Sequence, residues 1–148
     1  MSMKKEQQRG VSHLFEAVVR GNAATVAALL ASGTDPNEQD GPSGKRPLLA
    51  AVSKGRVDFV RDLLEAGADA NATDRHGNGP LCEAVYRYSD DQKDTYVRIM
   101  GLLLDRGANP EQVNKHDVSP RSLAETIANT SVRQALEAAL ARRAGSRQ

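Results

Sequence analysis

A period of about 33 residues runs through most of this chain, and it excludes folds in which one segment closes a core without its neighbours. The period appears when "HLFEAVVRGNAATVAALLASGTDPN", "PLLAAVSKGRVDFVRDLLEAGADAN" and "PLCEAVYRYSDDQKDTYVRIMGLLLDRGANP" are set under one another. Leu14 to Leu48 spans 34 residues, Leu48 to Leu81 spans 33, and Gly33 to Gly67 spans 34, but Gly67 to Gly107 spans 40. Seven residues are therefore added inside the third unit. A fourth, weaker unit starts at "SPRSLAETIANTSVRQALEAAL", where Pro120 follows Pro80 by 40.

Each unit reads as two short helices and a turn. In unit two, Pro47 suits a first helical position, where its missing N–H is not needed, and Leu48, Ala51 and Val52 fall at helical spacing before Gly55. The second helix is expected over about 57–66, with Val60, Leu63 and Leu64 on one face and Gly67 as a left-handed cap. A helix pair this short cannot bury its apolar face alone, so neighbouring units must stack.

These features resemble the ankyrin repeat family, whose units begin T-P-L-H-x-A and recur at about 33 residues. Unit two carries Arg46-Pro47-Leu48-Leu49-Ala50-Ala51, unit three Gly79-Pro80-Leu81-Cys82-Glu83-Ala84 and unit four Ser119-Pro120-Arg121-Ser122-Leu123-Ala124. "GTDPN" at 33–37 and "GADAN" at 67–71 resemble the repeat ending. Only the fourth unit is read as keeping a hydroxyl at the Thr position, and Phe15, Leu49, Cys82 and Ser122 replace the His. The expected fold is an all-α solenoid of about four helix-turn-helix units, 11–40, 41–73, 74–113 and 114–141. Flexible tails are expected at 1–10 and 142–148.

Composition narrows the function. The net charge of +1 conceals basic ends, +2 over 1–10 and +3 over 140–148, which leave about −4 for the middle. No single-signed basic face points to nucleic acid. Cys82 is the one cysteine, so no internal disulfide forms, and no apolar run approaches the roughly 20 residues of a membrane span. A cytoplasmic protein, monomeric when free and without cofactor, is expected.

Catalytic constellations are sparse. Cys82 reads as a small buried residue of a first helix. His76 and His116 stand 40 apart on equivalent turn tips, too far to share one metal ion. Asp90, Asp91 and Asp94 lack the alternating ligands, Gly and Glu of a calcium loop, while Asp35 and Asp69 recur with the repeat and belong to its turns. An enzyme is the remote alternative.

The stretch "YRYSDDQKDTY", residues 86–96, holds all three tyrosines of a chain with two phenylalanines and no tryptophan. Aligning Val97 with Val57 places the added residues between the two helices of unit three, where Ser89-Asp90-Asp91-Gln92 fits a capping box. The second helix is expected to be longer, its first turns projecting into solvent and its core stripe starting at Tyr96. Tyr88 and Tyr96 packing together to seal the junction is the bland reading of these rings.

In the family resembled, partners dock on the concave side formed by turn tips and first helices. Carried over, that surface comprises Pro42, Ser43, Lys45, Ser53 and Lys54 from unit two. Unit three adds Arg75, His76, Asn78, Tyr86, Arg87 and Tyr88, and unit four Lys115, His116 and Val118. Tyr and Arg are enriched at binding hot spots, which makes unit three the expected recognition element. The partner is expected to be another protein. The resemblance of the C-terminal unit to small bacterial ankyrin proteins implies, as the most specific guess, an immunity protein that blocks a toxin. A regulatory or scaffolding subunit is the alternative.

Overall fold

The computed structural model describes residues 12–146, in which eight α-helices pair off in chain order and no strand occurs among the described residues. Unit one contains α1 (His13–Arg20) and α2 (Ala23–Ala31), and unit two α3 (Pro47–Ser53) and α4 (Val57–Glu65). Unit three contains α5 (Pro80–Arg87), a 3-10 turn (Asp90–Gln92) and α6 (Lys93–Asp105), and unit four α7 (Pro120–Thr126) and α8 (Thr130–Ser146).

The helices begin and end where local chemistry directs. Pro47, Pro80 and Pro120 each open a first helix. Ser119 caps α7 through a capping box with Ser122. Ser12 does the same work for α1, its Oγ accepting from the Phe15 N–H at 3.0 Å, so a second unit keeps the hydroxyl expected only in the fourth. Gly67 closes the turn after α4 at a φ of 104°, the left-handed conformation its position predicts.

Packing then runs in two rows. Helices α1, α3, α5 and α7 stack consecutively, as do α2, α4, α6 and α8 behind them. Leu14, Val52, Leu63, Leu103 and Leu136 are shielded almost wholly from water between the rows, each contributing about 1.5–3 kcal/mol of transfer free energy. Hydrogen bonds reinforce the stacking. The Asn37 Nδ2 donates to the Gly67 carbonyl at 3.1 Å while its Oδ1 accepts from the Asp69 N–H at 2.7 Å. Asn71 repeats the pattern on Gly107 and Asn109 at 2.9 and 2.8 Å. Asp35 and Asp69 accept from the N–H two residues on, as their place in the turn predicts.

The extra residues of unit three are resolved in kind. Helix α6 starts four residues before the Val97 position that aligns with the start of α4, and the three-residue 3-10 turn precedes it. The expected capping box does not form: Ser89 has the extended backbone of an N-cap, at a φ of −144°, but its side chain makes no capping bond. The path of the chain changes one residue earlier. Tyr88 aligns with Gly55, which crosses between α3 and α4 at a φ of 67°; a tyrosine disfavours that conformation and instead leaves α5 at φ −56°, ψ 133°. The chain exits straight and returns through the added residues.

At the C-terminal end, α8 continues to Ser146, so the boundary expected at 141 moves outward. The Arg143 Nη1 donates to the Ala108 carbonyl at 3.4 Å, tying this helix to the end of unit three. The expected tail over 1–10 lies outside the described residues, as do 147–148.

Candidate partner-binding surface

The turn tips of units two, three and four are built on one plan. Asp40, Asp74 and Asn114 each accept N–H groups from the residues that follow: Ser43 at 3.0 Å, His76 and Asn78 at 2.8 and 3.0 Å, and His116 and Val118 at 2.8 and 3.0 Å. A carboxylate or amide oxygen thereby satisfies backbone donors that a tight turn leaves without partners. Asp40 also accepts from the buried Ser12 N–H at 3.1 Å. Burial pushes its carboxyl up, but the hydrogen bonds from Ser43 and Ser12 outweigh that and hold it below the ordinary carboxylate range.

Contacts between units fix these tips in a row. The Arg75 Nη2 donates to the carbonyls of Gly41 and Pro42 at 3.3 and 3.2 Å. The Lys115 N–H donates to the His76 carbonyl at 3.1 Å, and the Asn114 Nδ2 to the Asn78 Oδ1 at 2.8 Å. Lys45, Arg75, His76, Lys115 and His116 are exposed along the row, while Ser43 and Asn78 are half-buried. Ser43 Oγ accepts from the Lys45 N–H at 3.2 Å, so Ser43 and Asn78 shape the tips more than they offer free groups.

Behind the tips, a groove crosses the first helices. Lys45, Ser53 and Lys54, three of the expected contact residues, line it together with Phe15, Val19, Leu49, Asp74 and Glu83. Its apolar floor, Phe15 and Leu49, lies outside the expected site residues and at positions where the repeat motif has His. That substitution is the signal that reveals the floor: an apolar side chain replaces the polar one that would face the turn.

Glu83 at the groove's edge leads to the unit-three aromatics. It pairs with Arg87 at 2.8 Å, and the Arg87 guanidinium lies 5.9 Å from the centre of the Tyr86 ring. Tyr86 is 67% exposed, a large amphipathic ring held out toward solvent. Tyr88 corrects the expectation that it shares this surface: it is 8% exposed and belongs to the core. Its hydroxyl is buried without a hydrogen-bond partner, Ser131 lying near but outside bonding geometry. Burial foremost, then Asp90 and Asp94, pushes the phenol up.

Tyr96, the expected start of the core stripe, is also buried, and its hydroxyl donates to the Val52 carbonyl at 3.3 Å. It adds a second donor to a carbonyl at the end of α3 that already accepts the Gly55 N–H at 3.0 Å. Cys82 is buried as expected, and burial, with the nearby Glu83 and Asp74 carboxylates, raises its thiol. Among the described residues no group of His, Cys, Asp and Glu is disposed to hold a metal ion, and no helix is long and apolar enough to cross a membrane.

Comparison with known proteins agrees with this geometry. The family described as "Ankyrin repeats (3 copies)" matches residues 14–117. The chain belongs to the ankyrin repeat family. It is 34% identical over 112 residues to Inversin of Gallus gallus, covering 76% of this chain and 10% of that one. It is 31% identical over 118 residues to SH3 and multiple ankyrin repeat domains protein 1 of Homo sapiens, covering 79% and 5%. The chain thus spans a tenth or less of these relatives. Among solved structures, an ankyrin repeat domain from Acinetobacter baumannii superposes with a TM-score of 0.74 at 28% identity, covering 85% of this chain and 63% of that one. The ankyrin repeat domain of Bcl-3 gives 0.72 at 28%, covering 86% and 51%.

Proposed function

We propose that this chain is a non-catalytic protein-binding module whose partner seats across the turn tips and the first-helix groove, with Tyr86 and Arg87 as its anchor. The observation that carries this reading is the exposed Tyr86 ring beside Arg87, continuous through Glu83 with an apolar-floored groove. Rigid aromatic area and a guanidinium at one place are what binding hot spots use. Lys45, Ser53, Lys54, Arg75, His76, Lys115 and His116 form the surrounding polar contacts, and Ser43 and Asn78 hold the surface in shape.

The more specific reading is an immunity protein that caps a toxin and occludes its active site. Its support is the resemblance of unit four to small bacterial ankyrin proteins. A regulatory or scaffolding subunit would use the same surface without inhibiting its partner.

The test is a quantitative pull-down comparing the chain with the Tyr86→Ala, Arg87→Ala double variant. Loss of at least about 2 kcal/mol, roughly thirtyfold, in affinity for a captured partner is the expected result. Equal capture by both baits would make the tyrosine incidental and move the interface elsewhere. The activity of the captured protein, measured with and without this chain, separates inhibition from scaffolding.

A further inference from the structure

Gly101 sits inside α6, where glycine is a poor helix former. A Cβ built on it meets nothing within 4 Å, so no internal packing requires a glycine there. Its neighbour is as unusual. In the alignment of unit three with unit two, Gly101 and Leu102 replace Arg61 and Asp62, both exposed on α4. The outer side of unit three has exchanged two charged residues for a notch and a half-buried apolar side chain.

The notch opens on a groove along α4, α6 and α8, whose apolar contacts are Val97 and Leu102. Arg61, Arg98 and Arg142 line this groove, and Asp105 is its one carboxylate. Arg61 also reaches Asp58 on its own helix at 3.4 Å, an exposed and weakly held pair. Positive charge therefore surrounds an apolar depression on the row of helices behind the Tyr86 surface.

We propose that this groove docks an acidic segment of a partner protein, with a small or apolar side chain of that segment seated at Gly101. Charge complementarity selects the occupant: guanidinium groups offer forked donors that match Asp and Glu carboxylates, and Val97 with Leu102 supplies the apolar contact. A nucleic acid is the other polyanion that arginines hold, but it would gain nothing from the apolar floor and would meet Asp105. The site is separate from the turn-tip surface, so either can fail without the other.

The test is titration of the isotopically labelled full chain, followed by amide chemical shifts, with three probes. They are a short synthetic peptide of Glu, Ala and Leu, the same peptide with Lys for Glu, and a short single-stranded DNA. Shifts at Val97, Gly101, Leu102 and Asp105 with the Glu peptide alone are expected. Gly101→Gln, which fills the notch without adding charge, should weaken that binding about tenfold or more while raising Tm, because a better helix former replaces glycine. Arg98→Glu should weaken it in a folded chain, and Tyr86→Ala should leave it unchanged. Silence at this groove with millimolar Glu peptide, equal response to the Lys peptide, preference for DNA, or undiminished binding by Gly101→Gln would each overturn the proposal. So would loss of the shifts in Tyr86→Ala, which would place the acidic segment on the other side.

Discussion

Units two and three bury nearly the same residues yet cross between their helices in different ways. Phe59, Val60, Leu63 and Leu64 of α4 correspond to Ile99, Met100, Leu103 and Leu104 of α6, and all eight are buried. Unit two turns at Gly55 in a left-handed conformation, whereas unit three has Tyr88 there and takes a detour through a 3-10 turn. The same core therefore tolerates two crossings. The longer one frees surface: α6 gains four residues at its start, and Tyr86 with Arg87 stands beside the detour.

The largest expected effect tests whether the cores are equal. Leu63→Ala and Leu103→Ala, each at a fully buried position, should each cost about 2–5 kcal/mol in urea unfolding. Similar losses would support one shared core, and a markedly smaller loss at Leu103 would show that the detour loosens unit three.

Asp40→Ala comes next, at about 1–3 kcal/mol, since it leaves the buried Ser12 N–H without its acceptor. The sign of its pH dependence follows from a folded-state pKa held below the unfolded one. The stabilisation is complete above the unfolded value and is lost as pH falls through the lower folded value. Asn114, which fills the same role in unit four, carries no such acid limb. Stability curves of wild type and Asp40→Asn that stay parallel below pH 4 would remove Asp40 from the account.

Two tyrosines of the detour should then move in opposite directions. Tyr96→Phe removes the hydrogen bond to the Val52 carbonyl and should lower stability by about 1 kcal/mol. Tyr88→Phe deletes a buried hydroxyl that lacks a partner and should leave Tm unchanged or raise it. If both variants lose stability equally, the Tyr88 hydroxyl is bonded in solution. Smallest of all, Glu83→Gln breaks the exposed Arg87 pair and should cost no more than about 0.5 kcal/mol, read by thermal melting.

Much of this was legible beforehand because repetition makes each position testify several times. The period, the opening prolines, Gly67 and the stripe from Tyr96 all follow from spacing and backbone chemistry. What escaped depended on direction rather than spacing. The inward turn of Tyr88 follows from its alignment with Gly55, a cue visible only when backbone conformation is set against the repeat. Ser12 stands just before the aligned segment that begins at His13, so its hydroxyl does not show in the repeat. The groove floor at Phe15 and Leu49 shows in the sequence only as a departure from the repeat motif, which by itself carries no information on the surface it faces. Helix α8 outran the expected boundary because its basic residues suggested a tail, while Arg143 meets the Ala108 carbonyl.

The paired bonds of Asn37 and Asn71 reach across 30 and 36 residues to Gly67 and Gly107 with nearly the same geometry. Each clasp fastens one repeat ending to the next and is indifferent to the path between them. The segment from Ser89 to Lys93 is accordingly a place where new chain can be grafted. Lengthening such a loop costs only about 0.6 kcal/mol per doubling, so descendants or designers can vary a recognition element there while the clasped array keeps its register.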